Sequence, residues 1–412
     1  MTEAVKTIKI NQANESWSFN QFLEKTLKVF LVTLLAVMSM LIVYQVVARY
    51  VFNSPSAMSE ELLRFSLIWL GILGVALCFI KSTHLSLPLL IDHVDISTRT
   101  KMELFNKYMY VLLGAVMTWG GYVASAKNLT MLTPTMQIPL GLVQSVFIIS
   151  GVIIAGTQFY KIIQEIKQHP RQGVVLTLYV VISVILFFAF TYIKGLDSFD
   201  NYLYDNIELI SFFMLFLSFL FFLLMGTSIA VGLAFSGIFT LFLQIDFLDL
   251  ISTSSEKLFS GLDSFGFLAL PFFILAGNIM NQGGIAKRLI VFAMLIGKKV
   301  PGSLWQTNIV ANMMFGSLSG SAIAASTAIG GIITPMAKEK NYDMPFSTAV
   351  NASSSIAGML IPPAGAFIVY SMITGGNASI AALFLGGYLP GMIIGLSVML
   401  VAYRFAKKII IQ

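Results

Sequence analysis

The sequence predicts an all-α polytopic membrane protein, and three observations support this prediction. Of the 412 residues, 57% are hydrophobic and only 11% are charged, whereas a soluble domain carries about 25% charged residues. The mean hydropathy is +0.86. Several uncharged apolar runs are as long as the ~18 residues of a membrane-spanning helix, among them 29–48, 174–193 and 210–230. Together they predict about nine or ten helical crossings or hairpin arms.

Residues 1–170 are predicted to form a four-helix membrane module with ordinary spans and charged connections. Positively charged residues collect on the cytoplasmic side of membrane proteins, so the basic residues before the first span predict a cytoplasmic N-terminus. These residues are Lys6, Lys9, Lys25 and Lys28. The net charge of +6 is explained by such loops, and nucleic acid is not predicted as a partner.

A linker and one further span separate this module from a second one. Residues 171–207 contain the apolar run 174–193 and an acidic loop that is predicted to lie in the periplasm. From residue 208 to residue 412, glycine, serine and proline become frequent inside apolar segments. We therefore expect two membrane modules joined by a linker helix.

The segment Phe315–Pro335, FGSLSGSAIAASTAIGGIITP, contains six hydroxyl residues and four glycines without any charge. Its two apolar arms are each short for a full crossing, which predicts a re-entrant hairpin that turns within GSLSGS. Irregular backbone at membrane depth is tolerated where protein buries it or water reaches it. One helix end of such a turn offers carbonyls to a cation, and the other offers amides to an anion.

A helix break is predicted in the segment SSSIAGMLIPPAG, because Pro362 and Pro363 lack amide hydrogens and Gly358 loosens the helix before them. Freed carbonyls and nearby serine hydroxyls form an all-oxygen shell without a carboxylate, which suits sodium better than a divalent metal. Close helix packing through small residues is the alternative explanation of each segment. Two successive charge-free breaks favour the midplane site of a secondary transporter.

Other polar residues are predicted to have structural roles. Arg49, Glu60, Glu61 and Arg64 are expected to pair with each other or with the second module. His84 lies in a predicted solvated loop, where its spacing to other ligating residues fits no common metal pattern. The serine-rich turn has no local histidine, lysine or aspartate, so an enzyme is not predicted. A channel could also use carbonyls and serines, and it remains an alternative.

The segments around these breaks resemble the large membrane subunit of tripartite ATP-independent periplasmic (TRAP) transporters. The matching stretches are DSFGFLALPFFILAGNIMNQGGIAKRL, FGSLSGSAIAASTAIG, IAGMLIPPAGAFIVY and FLGGYLPGMIIG. The first module contains VARYVFNSPSAMSEELLRFSLIWLGILGVAL, which resembles the small membrane subunit. The whole chain is therefore similar to a fused permease, in which one extra helix joins the two subunits.

The resemblance implies sodium-coupled import of organic acids, such as C4-dicarboxylates, sialic acid or other sugar acids, from a periplasmic solute-binding protein. It also implies an inner-membrane location, an elevator motion of the large subunit, and no cofactor besides sodium ions. The ion-binding residues are predicted to be Ser319, Ser321, Gly358, Ile361, Pro362 and Pro363. The substrate-binding residues are predicted to be Ser317, Gly320, Ser326, Thr327, Ser354 and Ser355.

Three features depart from the family pattern. Ala325 and Ala364 stand where many members have aspartate and serine, respectively. Residues 208–412 have room for one hairpin and one broken helix, whereas the family's large subunit contains two such inverted repeats. The sequence therefore predicts a fragment, a truncated product or half of a split transporter whose second repeat is a separate chain. A non-transporting scaffold or remnant is the corresponding alternative function.

Overall fold

The computed structural model describes residues 19–87, 90–297, 300–375 and 377–411. The regular elements of these residues are helices, accompanied by isolated β-bridges such as that between Leu132 and Pro139. The predicted all-α class is therefore confirmed. Lys6 and Lys9, which contributed to the predicted N-terminal orientation, lie outside the described residues.

The chain divides into two compact units, Met1–Asp263 and Ser264–Gln412. In the first unit, the helices that contain the apolar runs of the small module are α1 (Phe19–Tyr50), α2 (Ala57–Lys81), α3 (Ile96–Lys127), α4 (Leu140–Gln144) and α5 (Val146–Gln168). The remaining helices of this unit are α6 (Arg171–Lys194), α7 (Asp197–Asp205), α8 (Ile207–Leu224), α9 (Ile229–Gln244) and α10 (Phe247–Leu262).

The core of the first unit lies around α2, α3 and α5, where Ile68, Phe147 and Ile154 are fully or almost fully buried. Helices α3 and α5 approach closely, because Gly114 and Gly151 face the opposite backbone at their contact. Small residues at such a contact are typical of membrane helix pairs. By contrast, α6 contributes no buried residue.

The second unit begins with a 3₁₀ helix (Phe265–Leu268) and contains seven α-helices in its described residues. They are α11 (Ala269–Gln282), α12 (Ile285–Gly297), α13 (Ser303–Ser319), α14 (Ala322–Glu339), α15 (Met344–Leu360), α16 (Gly365–Ile373) and α17 (Ile380–Ile411). Helices α13 and α14 pack against each other and both pack against α15. This three-helix arrangement brings the two predicted breaks together.

Within the described ranges, seven helices are long and apolar enough to cross a membrane. The number rises to nine if each of two bent helix pairs is counted as one span. One such pair is α15 with α16, which are bent by 50° at the predicted break. The chain is therefore a multi-pass membrane protein, and the prediction of a helix break before residue 365 is confirmed.

The charged residues near the start of α2 are held by specific partners, as predicted for three of the four. Arg64 donates from Nε and Nη2 to the carboxylate of Asp263 at 2.9 and 2.6 Å, and Arg49 lies 3.7 Å from Glu60. Glu61 instead accepts hydrogen bonds from the backbone amides of the 133–139 loop, at 2.9 and 2.8 Å. Its partner is therefore backbone rather than a basic side chain.

Candidate functional site

The turn between α13 and α14 consists of Gly320 and Ser321. Gly320 has φ +63°, a left-handed conformation that glycine adopts without steric cost, and its amide donates to Gly316 O at 2.8 Å. Ser321 is the N-cap of α14, where its Oγ accepts from the amide of Ala324 at 3.2 Å. The sequence SLSGSA thus ends one helix and starts the next within two residues.

The break between α15 and α16 lies at residues 361–364. The amide of Ile361 donates to Gly358 O at 3.3 Å, and the next two residues are prolines without amide hydrogens. Ala364 is the N-cap of α16 and supplies no side-chain hydrogen bond to it. The first amides of α16 therefore lack the side-chain cap that many helices have.

The hairpin turn lies directly against this break. A Cβ atom added to Gly320 would stand 3.2 Å from the amide nitrogen of Gly365 and 3.7 Å from Pro363 O. The C-terminal carbonyl end of α13 is thereby close to the uncapped amide end of α16. Such a pair of helix ends offers oxygen ligands to a cation and amide donors to an anion in one place.

Helices α13 and α15 cross at two glycines just before these ends. A Cβ on Gly316 would lie 2.6 Å from Gly358 Cα, and a Cβ on Gly358 would overlap the carbonyl oxygen of Asn312. Both positions are buried. The turn and the break meet because this crossing has no side chains between the two backbones.

The structure brings some of the predicted residues together and leaves others apart. The turn and the break unite Ser319, Gly320 and Ser321 with the segment 361–363. Ser317 lies one turn earlier and donates to Met314 O. Their assignment to ion or substrate binding stays a prediction.

The predicted substrate residues of α14 and α15 lie further from the turn. Thr327 is exposed and donates to Ile323 O at 2.8 Å, while the main-chain carbonyl of Ser326 accepts from Asn351. Ser354 is fully buried against α13, and Ser355 is buried and donates to Ala352 O. Substrate contact by these four residues stays a prediction.

The two positions that depart from the family pattern are both closed to solvent. Ala325 is 0% exposed and packs in an apolar cluster with Ile329 and Phe315, and Ala364 is also 0% exposed. Ala364 nevertheless adjoins the turn, because a Cβ on Gly320 would lie 3.8 Å from its Cα.

Two residues that the sequence analysis missed are Asn308 and Asn312, which lie on α13 and are 1% and 0% exposed. Their signal in the sequence is a pair of amides four residues apart in an otherwise apolar arm, TNIVANMMF. That spacing places both on one face of the helix.

The first unit contains a cavity of about 350 Å³ beside His84. Its charged lining residues are already paired: Arg99 with Glu103 at 3.1 Å, and Lys107 with Glu165. Lys161 donates to the carbonyls of Phe79 and Ile80 at 3.0 and 3.1 Å and to Ser82 Oγ at 2.9 Å, which caps the C-terminal end of α2. These contacts account for the charged groups of Arg99, Glu103, Lys107 and Lys161, whereas His84 Nε2 has no hydrogen-bond partner within the described residues.

The loop around His84 is mostly exposed, as expected, but His84 itself packs against aromatic side chains. Its ring lies 3.9 Å from the Phe79 ring and 5.8 Å from the Tyr110 ring, measured between centroids, and the residue is half-buried. Burial, assisted by the nearby charge of Lys161, lowers the pKa of His84 to about 4 from its usual 6.5. Sequence spacing carried no signal of this aromatic contact.

The lowered pKa of His84 predicts acid sensitivity of the first unit. The unfolded chain binds a proton on His84 more tightly than the folded chain does. The stabilisation that neutral His84 gives to the fold is therefore complete above pH 6.5 and is lost as the pH falls towards 4. We expect the contribution of His84 to the free energy of unfolding to be smaller at pH 5 than at pH 7.5 by on the order of 1 kcal/mol. Melting temperatures of wild type and His84→Phe at both pH values measure it. The exposed His169→Phe serves as a control, and an unchanged acid sensitivity in His84→Phe would contradict the prediction.

Two family models match the chain in the order of its two modules. The model of the DctQ component of tripartite ATP-independent periplasmic transporters matches residues 38–168. The model of the DctM component of the same transporters matches residues 216–411. The second match includes the hairpin turn and the helix break, and both models describe components of a transporter instead of an enzyme.

Three curated relatives agree with these matches. YgiK of Salmonella typhimurium is 46% identical over 195 residues, or 47% of this chain and 45% of the relative. The sialic acid TRAP transporter permease protein SiaT of Haemophilus influenzae is 29% identical over 377 residues, or 89% of this chain and 59% of the relative. The isethionate TRAP transporter permease protein DctMQ of Oleidesulfovibrio alaskensis is 28% identical over 395 residues, or 92% of this chain and 58% of the relative.

The chain therefore spans less than two thirds of the length of each of these relatives. The small-subunit and large-subunit matches nevertheless follow one another in a single chain, as in the fused relatives SiaT and DctMQ. The chain belongs to the permeases of the TRAP transporter family, with the small and large subunits fused.

Proposed function

We propose that this chain is a permease component of a sodium-coupled secondary transporter that imports organic acids from a periplasmic solute-binding protein. The observation that carries the proposal is the contact of the hairpin turn with the helix break, at Gly320 and Gly365. Discontinuous helices of this kind form substrate and ion sites in secondary transporters. Relatives named for sialic acid, C4-dicarboxylate and 2,3-diketo-L-gulonate transport support an organic acid as the substrate class.

Sodium is the proposed coupling ion because the site supplies neutral oxygens. The turn has the hydroxyls of Ser319 and Ser321, and the carbonyls before Pro362 and Pro363 lack the amide partners that a continuous helix would provide. Hard cations prefer such oxygen ligands. The uncapped start of α16 is the proposed anchor for the substrate carboxylate.

The permease is proposed to lie in the bacterial inner membrane with its N-terminus in the cytoplasm. Lys25 and Lys28 near the start of α1, together with the acidic loop after α6, support this orientation. A second hairpin and broken helix are also proposed to complete the transporter, in the same polypeptide or in a separate chain, because this chain matches only 59% and 58% of the fused relatives SiaT and DctMQ.

The proposal is tested by uptake in the source bacterium, which contains whatever other chains the transporter needs. A deletion strain is complemented with wild type, Ser319→Ala or the control Ser252→Ala, which lies on α10 of the first unit. Radiolabelled organic acids are supplied with sodium or with potassium. We expect uptake that requires sodium and the solute-binding protein. Ser319→Ala is expected to reduce uptake about tenfold, corresponding to one lost ligand interaction, and Ser252→Ala should behave as wild type.

Three results would reject this function. Equal uptake in the deletion strain would support the non-transporting alternative, and ion currents without the binding protein would support a channel. Uptake that does not respond to replacement of sodium by potassium would reject sodium coupling while leaving organic-acid transport in place.

A further inference from the structure

A set of buried and half-buried polar side chains links the hairpin to the broken helix in the second unit. We call Asn308, Asn312, Asn351 and Ser354 the amide cluster. Asn312 and Ser354 are 0% exposed, and Asn308 is 1% exposed. Polar groups in such surroundings are costly unless they are hydrogen-bonded, so their partners define how the helices can pack.

The side-chain nitrogen of Asn312 is the centre of the amide cluster. From α13 it reaches Ser354 Oγ at 2.8 Å, Asn351 Oδ1 at 3.0 Å and Asn351 O at 3.2 Å, all on α15. Asn308 Oδ1 lies 3.3 Å away on the same helix. Within the described residues the Oδ1 atom of Asn312 accepts no hydrogen bond, so its NH₂ group makes the polar contact of Asn312 with α15. At the N-terminal ends of the same two helices, Trp305 Nε1 donates to Ser347 Oγ at 2.8 Å.

Asn351 extends the connection to the other arm of the hairpin. Its side-chain nitrogen donates to the carbonyl oxygen of Ser326 on α14 at 3.0 Å. Two carboxamides, those of Asn312 and Asn351, therefore connect both arms of the hairpin to the helix that ends at the break.

The amide cluster lies one helical turn from the glycine crossing. Asn312 precedes Gly316 by four residues, and Ser354 precedes Gly358 by four, which corresponds to about 6 Å along each helix. The glycine crossing alone has no interlocking side chains that would resist sliding. The directed hydrogen bonds of Asn312 and Asn351 fix the position of α15 along both arms.

We propose that Asn312 and Asn351 are positioning residues that keep the helix break in register with the hairpin turn. This inference rests on the proposed function. It means that the oxygen atoms proposed to bind sodium are already in their positions before sodium binds. Sliding of α15 would displace residues 361–363 from Ser319 and Ser321, and loss of either carboxamide would weaken the contacts that resist it. A preorganised site binds its ligand more tightly, because less ordering accompanies binding.

The test compares Asn312→Leu with Gln306→Leu in the full-length protein. Gln306 is a matched control, because it lies on α13, is 2% exposed and donates to Met399 O at 2.9 Å on α17 instead of to the hairpin or α15. Hydrogen–deuterium exchange without sodium reports directly on residues 319–325 and 358–367. The sodium concentration for half-maximal uptake reports on the site.

We expect Asn312→Leu to accelerate exchange in both segments and to raise the half-maximal sodium concentration about tenfold, as for the loss of one buried hydrogen-bonding group. Gln306→Leu should change neither the hydrogen exchange of these segments nor the half-maximal sodium concentration, even if it lowers the melting temperature as much as Asn312→Leu does. Exchange in Asn312→Leu that equals that of Gln306→Leu would overturn the inference.

A second variant covers the case in which Asn312→Leu does not fold. Ser354→Ala removes the nearest acceptor of Asn312 and should accelerate exchange in the same two segments, and unchanged exchange there would also overturn the inference. If wild-type uptake does not depend on sodium, the proposed sodium site fails, while hydrogen exchange still decides whether the amide cluster sets the register.

Discussion

Gly358→Ala is expected to destabilise the second unit by about 3 kcal/mol, because the new methyl group would occupy the space of the Asn312 carbonyl oxygen. The obstacle is backbone of a packed helix, so no side-chain rotation can remove it. Helices α13 and α15 would have to separate, and the turn would lose its contact with the break. A decrease of about 6–12 °C in the melting temperature in detergent is the expected result.

Gly331→Ala is the matched control for this prediction. Gly331 also lies within a helix, α14, but an added Cβ would have no heavy atom within 4 Å. Alanine favours a helix over glycine by roughly 1 kcal/mol, so this variant should melt at the same temperature as wild type or slightly higher. Equal melting temperatures for Gly358→Ala and Gly331→Ala would show that the close crossing of α13 and α15 is not formed.

Glu61→Leu is expected to destabilise the first unit by about 2–3 kcal/mol. Glu61 is 6% exposed, and its Oε2 accepts from the amides of Thr135 and Met136. Hydrogen bonds to a charged group are stronger than neutral ones, and their loss leaves two backbone amides without this acceptor. We expect a lower melting temperature and faster hydrogen exchange in residues 133–139.

The adjacent Glu60 provides the control for Glu61. Its side chain is 39% exposed and its nearest basic partner, Arg49, is 3.7 Å away, a geometry in which an ion pair contributes little. Glu60→Leu should therefore leave both the melting temperature and the loop exchange near wild type. If the two variants lose equal stability, the loop contacts of Glu61 are not the cause.

The sequence was informative about helices wherever the chain is continuously apolar. Hydropathy marks only the apolar part of a helix, however, and the uncharged apolar stretch 108–124 is the central part of α3, Ile96–Lys127. The additional turns are polar, and they begin at Asp95, whose side chain accepts from the amides of Ser97 and Thr98. A cap of this kind extends a helix beyond the apolar run that predicts it.

The site was predictable to the extent that glycine and proline determine it. Left-handed backbone at Gly320 and missing amides at Pro362 and Pro363 are properties of single residues, so both breaks could be located from sequence. The contacts of Asn312 and Glu61 depend on residues 39 and 74 positions away. No local pattern indicates which distant partner a buried amide or carboxylate will meet.

The exposure of helix α6 determines how freely its sequence can change. It has no buried residue along Arg171–Lys194, although side chains such as Ser183, Phe187 and Lys194 contact neighbouring helices of the first unit. Most of its positions therefore face hydrocarbon, where one apolar side chain serves as well as another. We expect substitutions to accumulate freely there, limited by length and composition. Sequence drift in the joining helix would then be a poor measure of divergence in the transport machinery.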